Sequence, residues 1–276
     1  MNAVVVGLGL IGGSVALALR ETEPAVELVG VDRAFVIERP AARRLAETFV
    51  DVADPTGVEA AFARADLVVL APPIRAIVEL LPKALAKAAV VTDCGSTKRS
   101  IARAAEESPR RARFVPGHPM AGGPEGGAEH ARANLFRGRS WLLCTEGSDA
   151  DAVGTVEAVV RRFGAQPLRV SAADHDRAVA LTSHATQLLS SALAVVASRA
   201  GAEPMAGPAF EGATRAAGGP DGIWGDILSS NADEIARALG EIEAELRSVR
   251  EALERPSPDV EVARALLQRA RRVRRG

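Results

Sequence analysis

Six residues into the chain stands Gly7-Leu8-Gly9-Leu10-Ile11-Gly12, and its surroundings restrict the fold more than any other stretch does. The apolar run Ala3 to Val6 ahead of it has the character of a buried parallel strand, and Ser14 to Arg20 behind it is rich in helix formers. Strand, glycine turn and helix in that order form the dinucleotide-binding fingerprint. The first glycine permits a tight turn, the second lets backbone approach a pyrophosphate, and the third lets helix pack on strand with its N-terminal N–H groups facing the anion. All six residues, Gly7, Leu8, Gly9, Leu10, Ile11 and Gly12, are therefore cofactor-binding candidates. A second apolar run, Val26 to Val31, ends in Asp32, twenty residues beyond Gly12, where an acid can hydrogen-bond the ribose hydroxyls of an adenosine. The alternative is a βαβ unit that binds no nucleotide, and an acid at this spacing argues against it. Asp32 would repel a 2′-phosphate, which favours NAD, while the neighbouring Arg33 leaves NADP open.

The alternation continues. Asp66 to Ala71 reads as a buried strand stopped by Pro72-Pro73, Ile74 to Leu85 as a helix, Val90 to Thr92 as a strand and Arg99 to Glu107 as a helix. Phe114-Val115 and Trp141 to Cys144 read as further short strands. This pattern predicts an α/β domain with a doubly wound, mostly parallel sheet whose ligands sit at the carboxyl ends of the strands. Ala71, Pro72, Pro73 and Gly95 fall on that rim and join the cofactor-binding set. Near residue 150 the character changes. A helix over Asp151 to Phe163 and a last strand over Gln166 to Val170 precede a long helical pattern, Ala172 to Ala200. After a break between Gly201 and Gly222, helices follow over Ile223 to Glu254, a stretch open to an interruption, and over Val260 to Val273. The expected division is 1–150, extending to about 170, for the nucleotide domain and 171–276 for an all-α domain that closes the site and dimerises.

Bulk composition narrows the class. Thirty-four basic residues against 35 acidic ones give no global reason to expect nucleic acid or a membrane as partner. No uncharged apolar stretch approaches the roughly 20 residues that span a bilayer. Cys94 and Cys144 make neither a disulfide framework nor a metal-ligand cluster, so no metal is expected. The motif so near Met1 leaves no room for a leader, and a reduced cytoplasmic enzyme is the simplest expectation.

Gly117-His118-Pro119-Met120-Ala121-Gly122-Gly123 carries the strongest chemical signal. It follows a strand, so His118 should emerge at the rim, and Gly122 and Gly123 let a substrate come close. Histidine suits removal of a hydroxyl proton while hydride leaves the same carbon. In Asp93-Cys94-Gly95-Ser96-Thr97-Lys98, Ser96 could orient that imidazole or simply cap the next helix, and Lys98 could meet a phosphate or carboxylate. On the long helix, His175-Asp176 and Ser183 to Gln187 place polar groups in an apolar segment, with His184 and Gln187 three apart on one face. Substrate, core or interface could satisfy them. Arg215, in a small-residue loop ahead of Trp224, Asp226 and Asn231, suits bidentate capture of a carboxylate.

Together these blocks resemble the prephenate/arogenate dehydrogenase family of tyrosine biosynthesis over nearly the whole chain. The resemblance rests on GLGLIGGS at 7–14, GVDR at 30–33, TDCGSTK at 92–98 and GHPMAGG at 117–123. It continues with NLFRGRSWLL at 134–143, DHDRAVALTSH at 174–184 and GPAFEGATR followed by IWGDI at 207–227. It implies a Rossmann domain, a helical domain forming a homodimer, and NAD(P)-dependent oxidative decarboxylation of a cyclohexadienol dicarboxylate. By resemblance His118 is the catalytic histidine with Ser96 beside it, Arg215 the substrate-carboxylate arginine, and Trp224, His184 and Gln187 pocket residues. Gln187 stands where many members carry histidine, and Gly212 where many carry an acid. These departures leave three substrates in view: prephenate, arogenate and 4-amino-4-deoxyprephenate. Another Rossmann-plus-helical dehydrogenase, or a non-catalytic NAD-binding protein, ranks below them.

Overall fold

A computed structural model describes residues 1–123, 125–218 and 221–275. Among them, strands β1 (Asn2–Val6), β2 (Glu27–Asp32), β3 (Thr48–Asp51), β4 (Leu67–Leu70), β5 (Val90–Asp93) and β6 (Phe114–Val115) form one sheet in the order β3-β2-β1-β4-β5-β6, every pairing parallel. Helices α1 (Leu10–Thr22), α2 (Ala34–Ile37), α3 (Pro40–Arg43), α4 (Pro55–Ala63), α5 (Ile74–Lys87) and α6 (Arg99–Glu106) lie in the connections. Successive strand residues point to opposite faces. Ala3 and Val5 pack with α1 on one side, while Val4 and Val6 pack with Phe62 and Ile77 on the other. Both faces are covered, so the strands read as unbroken apolar runs. Strand order reverses between β1 and β4, and the crevice at that switch point is where such a sheet binds ligands.

The expected strands at Trp141 and Gln166 do form, but in a sheet of their own. Strand β7 (Gly117–Pro119) runs antiparallel to β8 (Ser140–Leu143), which pairs parallel with β9 (Gln166–Arg169). Pro116 has no N–H with which to continue the β6 ladder, and its carbonyl instead accepts from Cys144 N at 2.9 Å. His118 therefore sits within a strand instead of in a loop. Helix α7 (Ala150–Arg162) covers this sheet, and Trp141, Phe136 and Phe163 pack behind it with ring centroids 4.9–6.1 Å apart.

Beyond β9 the chain is helical. Helix α8 (Ala172–Val179) runs through a π-helical turn, Ala180–His184, into α9 (Ala185–Arg199), followed by α10 (Pro208–Thr214), α11 (Trp224–Ser230), α12 (Ala232–Leu253) and α13 (Val260–Arg275). Asn231 interrupts the helix expected over Ile223 to Glu254. Gly219 and Pro220, in the predicted break, and Gly276 lie outside the described residues. Ala180, Ala185, Ile227 and Ile235 join the apolar layer behind α5 and α6, which docks the helices onto the nucleotide domain. Contrary to the expectation from sequence, Ala172–Arg199 is long and apolar enough to cross a bilayer by length and composition, with a mean hydropathy of 1.4 over its most apolar window. One face of that run, however, carries buried His175, Asp176 and His184 against the nucleotide domain. On its outer face Leu189, Leu193, Val195 and Val196 are 36–61% exposed.

Candidate active site

The glycine turn closes tightly on the end of β4. Gly7 has φ +86°, and a Cβ on Gly12 would stand 1.8 Å from the Gly7 carbonyl oxygen. Asp32 braces the turn, accepting from Leu8 N at 2.6 Å and from Arg33 N at 2.7 Å. Gly9, Leu10, Ile11, Ala71, Pro72, Pro73, Gly95 and Gly123 line a cleft of about 340 Å³ beside it. Gly7, Leu8 and Gly12 lie beneath that lining, and Asp32 and Arg33 stand beyond it at the end of β2. The Arg33 guanidinium rests 4.5 Å over the Phe35 ring. Among the described residues nothing approaches within 4 Å of where a Gly9 Cβ would be, and no side chain caps α1. Open backbone at a helix N-terminus fits a dinucleotide pyrophosphate.

His118 stands where this cleft meets a second cavity of about 410 Å³. Its Nδ1 lies 2.9 Å from His175 Nε2, and His175 Nδ1 lies 2.8 Å from Asp176 Oδ1. All of Asp176 is buried, and its carboxylate also accepts from Lys98 N at 2.7 Å, Arg99 N at 3.0 Å and Arg99 Nε at 3.2 Å. Burial alone would raise the Asp176 carboxyl, but these bonds hold it below the ordinary carboxylate range. An ionised Asp176 accepts a hydrogen bond from His175 Nδ1–H, so His175 Nε2 accepts from His118 Nδ1–H. His118 Nε2 is then left unprotonated, with no partner among the described residues. Burial, followed by the neighbouring His175, Lys98 and His184, pushes the His118 pKa well down. The arrangement is a base in the correct tautomer, held by two positioning residues.

His184 shares the cavity. Asn231 Nδ2 donates to its Nδ1 at 3.3 Å and to the Asp176 carbonyl at 2.8 Å, so His184 presents Nε2–H as a donor. Burial pushes the His184 pKa down to about 4. Trp224 meets the His184 ring edge-on with centroids 6.1 Å apart. Ser96 and Gly122 also line this space, on the boundary with the cofactor cleft. The Arg99 guanidinium, bonded to Asp176, Asn231 and Asp233, clamps α6 to the helical domain behind the relay.

Several expectations are corrected. The His118 ring bonds to His175, while Ser96 lines the space beside it without a hydrogen bond to the ring among the described residues, and the start of α6 is capped by the Asp176 carboxylate, not by a hydroxyl of its own loop. Lys98 is buried completely, where its Nζ pairs with Asp93 and donates to Gly117 O at 2.7 Å; it is out of reach of a ligand. In a single chain Gln187, three residues beyond His184 at the start of α9, falls outside the lining of the His118 cavity. Arg215 is exposed on the short turn Arg215–Gly218 against α9, and in a single chain it too lies outside that cavity, as does Gly212. Arg132, which no motif covered, and Arg139, inside the NLFRGRSWLL block but given no role there, do line it.

Comparison with known proteins agrees with this geometry. Residues 15–168 match the model of the prephenate dehydrogenase nucleotide-binding domain, and residues 171–268 that of the prephenate dehydrogenase dimerization domain. Cyclohexadienyl dehydrogenase of Zymomonas mobilis is 29% identical over 91% of this chain and 88% of its own. The crystal structure of Aquifex aeolicus prephenate dehydrogenase, in complex with hydroxyphenyl propionate and NAD+, superposes with a TM-score of 0.86 at 25% identity, covering 100% of this chain and 98% of that one. Synechocystis arogenate dehydrogenase superposes at 0.81 with 28% identity and full coverage of both chains. A glycine turn over a parallel sheet, a buried histidine relay between the two domains, and adjoining matches that together span residues 15–268 lead to one assignment: the chain belongs to the prephenate dehydrogenase family.

Proposed function

We propose that the protein catalyses the NAD-dependent oxidative decarboxylation of prephenate to 4-hydroxyphenylpyruvate. The observation that carries this reading is the Asp176–His175–His118 relay, which leaves His118 Nε2 as a free base where the cofactor cleft opens into the second cavity. NAD, when bound against Gly9 to Ile11 and Gly95, supplies the acceptor for the hydride that leaves the hydroxyl-bearing ring carbon. His118 Nε2 takes the hydroxyl proton, and the imidazolium so formed is stabilised through His175 by the Asp176 carboxylate. His184 Nε2–H offers a hydrogen bond to the substrate, and Trp224 and Ile227 form an apolar wall for its ring. No further base is required for carbon dioxide to leave, because aromatisation of the ring drives that step.

Asp32 supports NAD over NADP, and Arg33 is engaged with Phe35 instead of standing free for a 2′-phosphate. The exposed apolar face of α9 and the dimerization-domain match support a homodimer, with a division of the chain near residue 170. Arg215 lies on a turn packed against α9, so dimerisation through that helix is the route by which it could serve as a carboxylate ligand. Product analysis tests the reaction. Wild-type protein with prephenate and NAD should yield NADH, carbon dioxide and 4-hydroxyphenylpyruvate in equal amounts. His118→Asn should lower that turnover by about 10²–10⁴-fold with NAD affinity kept. NADH without carbon dioxide, or normal turnover in the variant, would contradict the reading.

A further inference from the structure

Two arginines converge on the His118 cavity from either side of the short turn Ala133–Phe136. Leu135 and Phe136 are buried in the core and pin that turn, which brings Arg132 and Arg139 back towards each other. Both backbones are tied down. Arg132 N donates to Ser14 Oγ at 3.0 Å, while Arg139 N donates to Phe136 O at 2.9 Å and Arg139 O accepts from Gln166 N at 2.8 Å. Among the described residues neither guanidinium has a hydrogen bond or ion pair, whereas Arg137 of the same loop turns away to Glu21 at 3.8 Å. Among the described residues no carboxylate lines this cavity. Its formal charge comes from the two guanidiniums alone, since His118 and His184 are held neutral.

We propose that Arg132 and Arg139 form a carboxylate-binding subsite that selects a dianionic substrate whose side chain ends in a 2-oxo acid. The inference rests on the reaction proposed above and narrows its substrate. Guanidinium forks match carboxylates in geometry and charge. An amino-acid side chain would bring the same carboxylates plus an ammonium group, for which this cavity offers two like charges and no acceptor carboxylate. Repulsion of that kind is how a site rejects a close analogue. Prephenate is thus favoured over arogenate by this chain's own residues.

The test compares wild type with Arg132→Gln, Arg139→Gln and the double variant, with Arg139→Lys as partial rescue. Both side chains are exposed at the cavity mouth, so the variants should fold and keep their Michaelis constant for NAD. Each single change should raise KM for prephenate about tenfold with kcat little altered, and the double variant should lose most of the preference for prephenate over arogenate. Calorimetric titration of prephenate into NAD-free protein gives a second readout that needs no turnover. A prephenate KM in the double variant within twofold of wild type would overturn the subsite and leave the reaction standing. Binding that depends on the arginines, in a wild type that turns over neither substrate, would keep the subsite and overturn the reaction. Neither binding nor turnover of prephenate would overturn both.

Discussion

Asp176→Asn should silence the enzyme by moving a proton, with little change in shape. The two donors on Asp176 Oδ1 are His175 Nδ1 and Lys98 N; those on Oδ2 are the backbone and side chain of Arg99. An asparagine has one oxygen for these two sides. The charged guanidinium holds that oxygen, which turns the amide N–H₂ towards His175 and Lys98 N. His175 Nδ1 must then accept, its proton moves to Nε2, and Nε2–H donates to His118 Nδ1. His118 is left with its proton on Nε2, the atom that has to be bare. Replacing the carboxylate behind a catalytic imidazole costs up to about 10⁴ in kcat where the same tautomer logic operates, and general-base catalysis as a whole contributes about 10²–10⁴. A kcat loss of about 10³-fold, or about 4 kcal/mol of barrier, is expected. One orphaned backbone N–H and a weakened ion pair should also lower stability by about 3 kcal/mol. Initial rates of NADH formation with prephenate measure the first effect and urea unfolding the second. Asp233→Asn is the control. It removes the other carboxylate on Arg99 without touching the relay, and kcat should stay within about threefold. An Asp176→Asn enzyme within fivefold of wild-type kcat, and folded, would refute the tautomer argument.

Four further outcomes follow from the same geometry. Burial depresses His118 below the ordinary histidine value of 6.5, and the base is lost only on protonation, so kcat/KM should stay level through pH 6.5 and fall below it; half-loss at or above 6.5 would contradict this. His184 titrates near 4 in the fold against 6.5 when unfolded, so the unfolded chain binds more protons between those values and Tm should drop as pH falls from 6.5 to 4. Lys98→Met leaves Asp93 buried without its ammonium and should cost about 3–5 kcal/mol in urea unfolding, whereas a lysine that met ligand would cost little stability and much KM. Gly12→Ala drives a methyl into the Gly7 carbonyl and should abolish NAD binding or folding, which calorimetry and a melting curve together resolve.

What could be read from the residues was whatever depends on local pattern. The parallel sheet, the turn at Gly7 to Gly12, Asp32 at its strand end and His118 at the rim all follow from apolar runs and short spacings. What escaped depends on distant segments meeting. His175-Asp176 were visible as polar residues on an apolar helix, but their bonds to His118 and to the start of α6 span 57 and 78 residues. The π turn at Ala180–His184 has no sequence signature, so the single long helix expected over this stretch hides it. Lys98 resembled a ligand cation until its burial against Asp93 was in view. Arg132 and Arg139 belong to no periodic face; only the turn between them, pinned by Leu135 and Phe136, brings them to one cavity.

The most direct test of the account is the appearance of NADH absorbance with purified protein and prephenate, run in parallel with arogenate and 4-amino-4-deoxyprephenate, each with NAD and with NADP. The account predicts strong turnover of prephenate with NAD, and weaker rates in every other pairing. Silence with all three substrates despite measurable NAD binding, or a clear preference for either amine-bearing substrate, would contradict it.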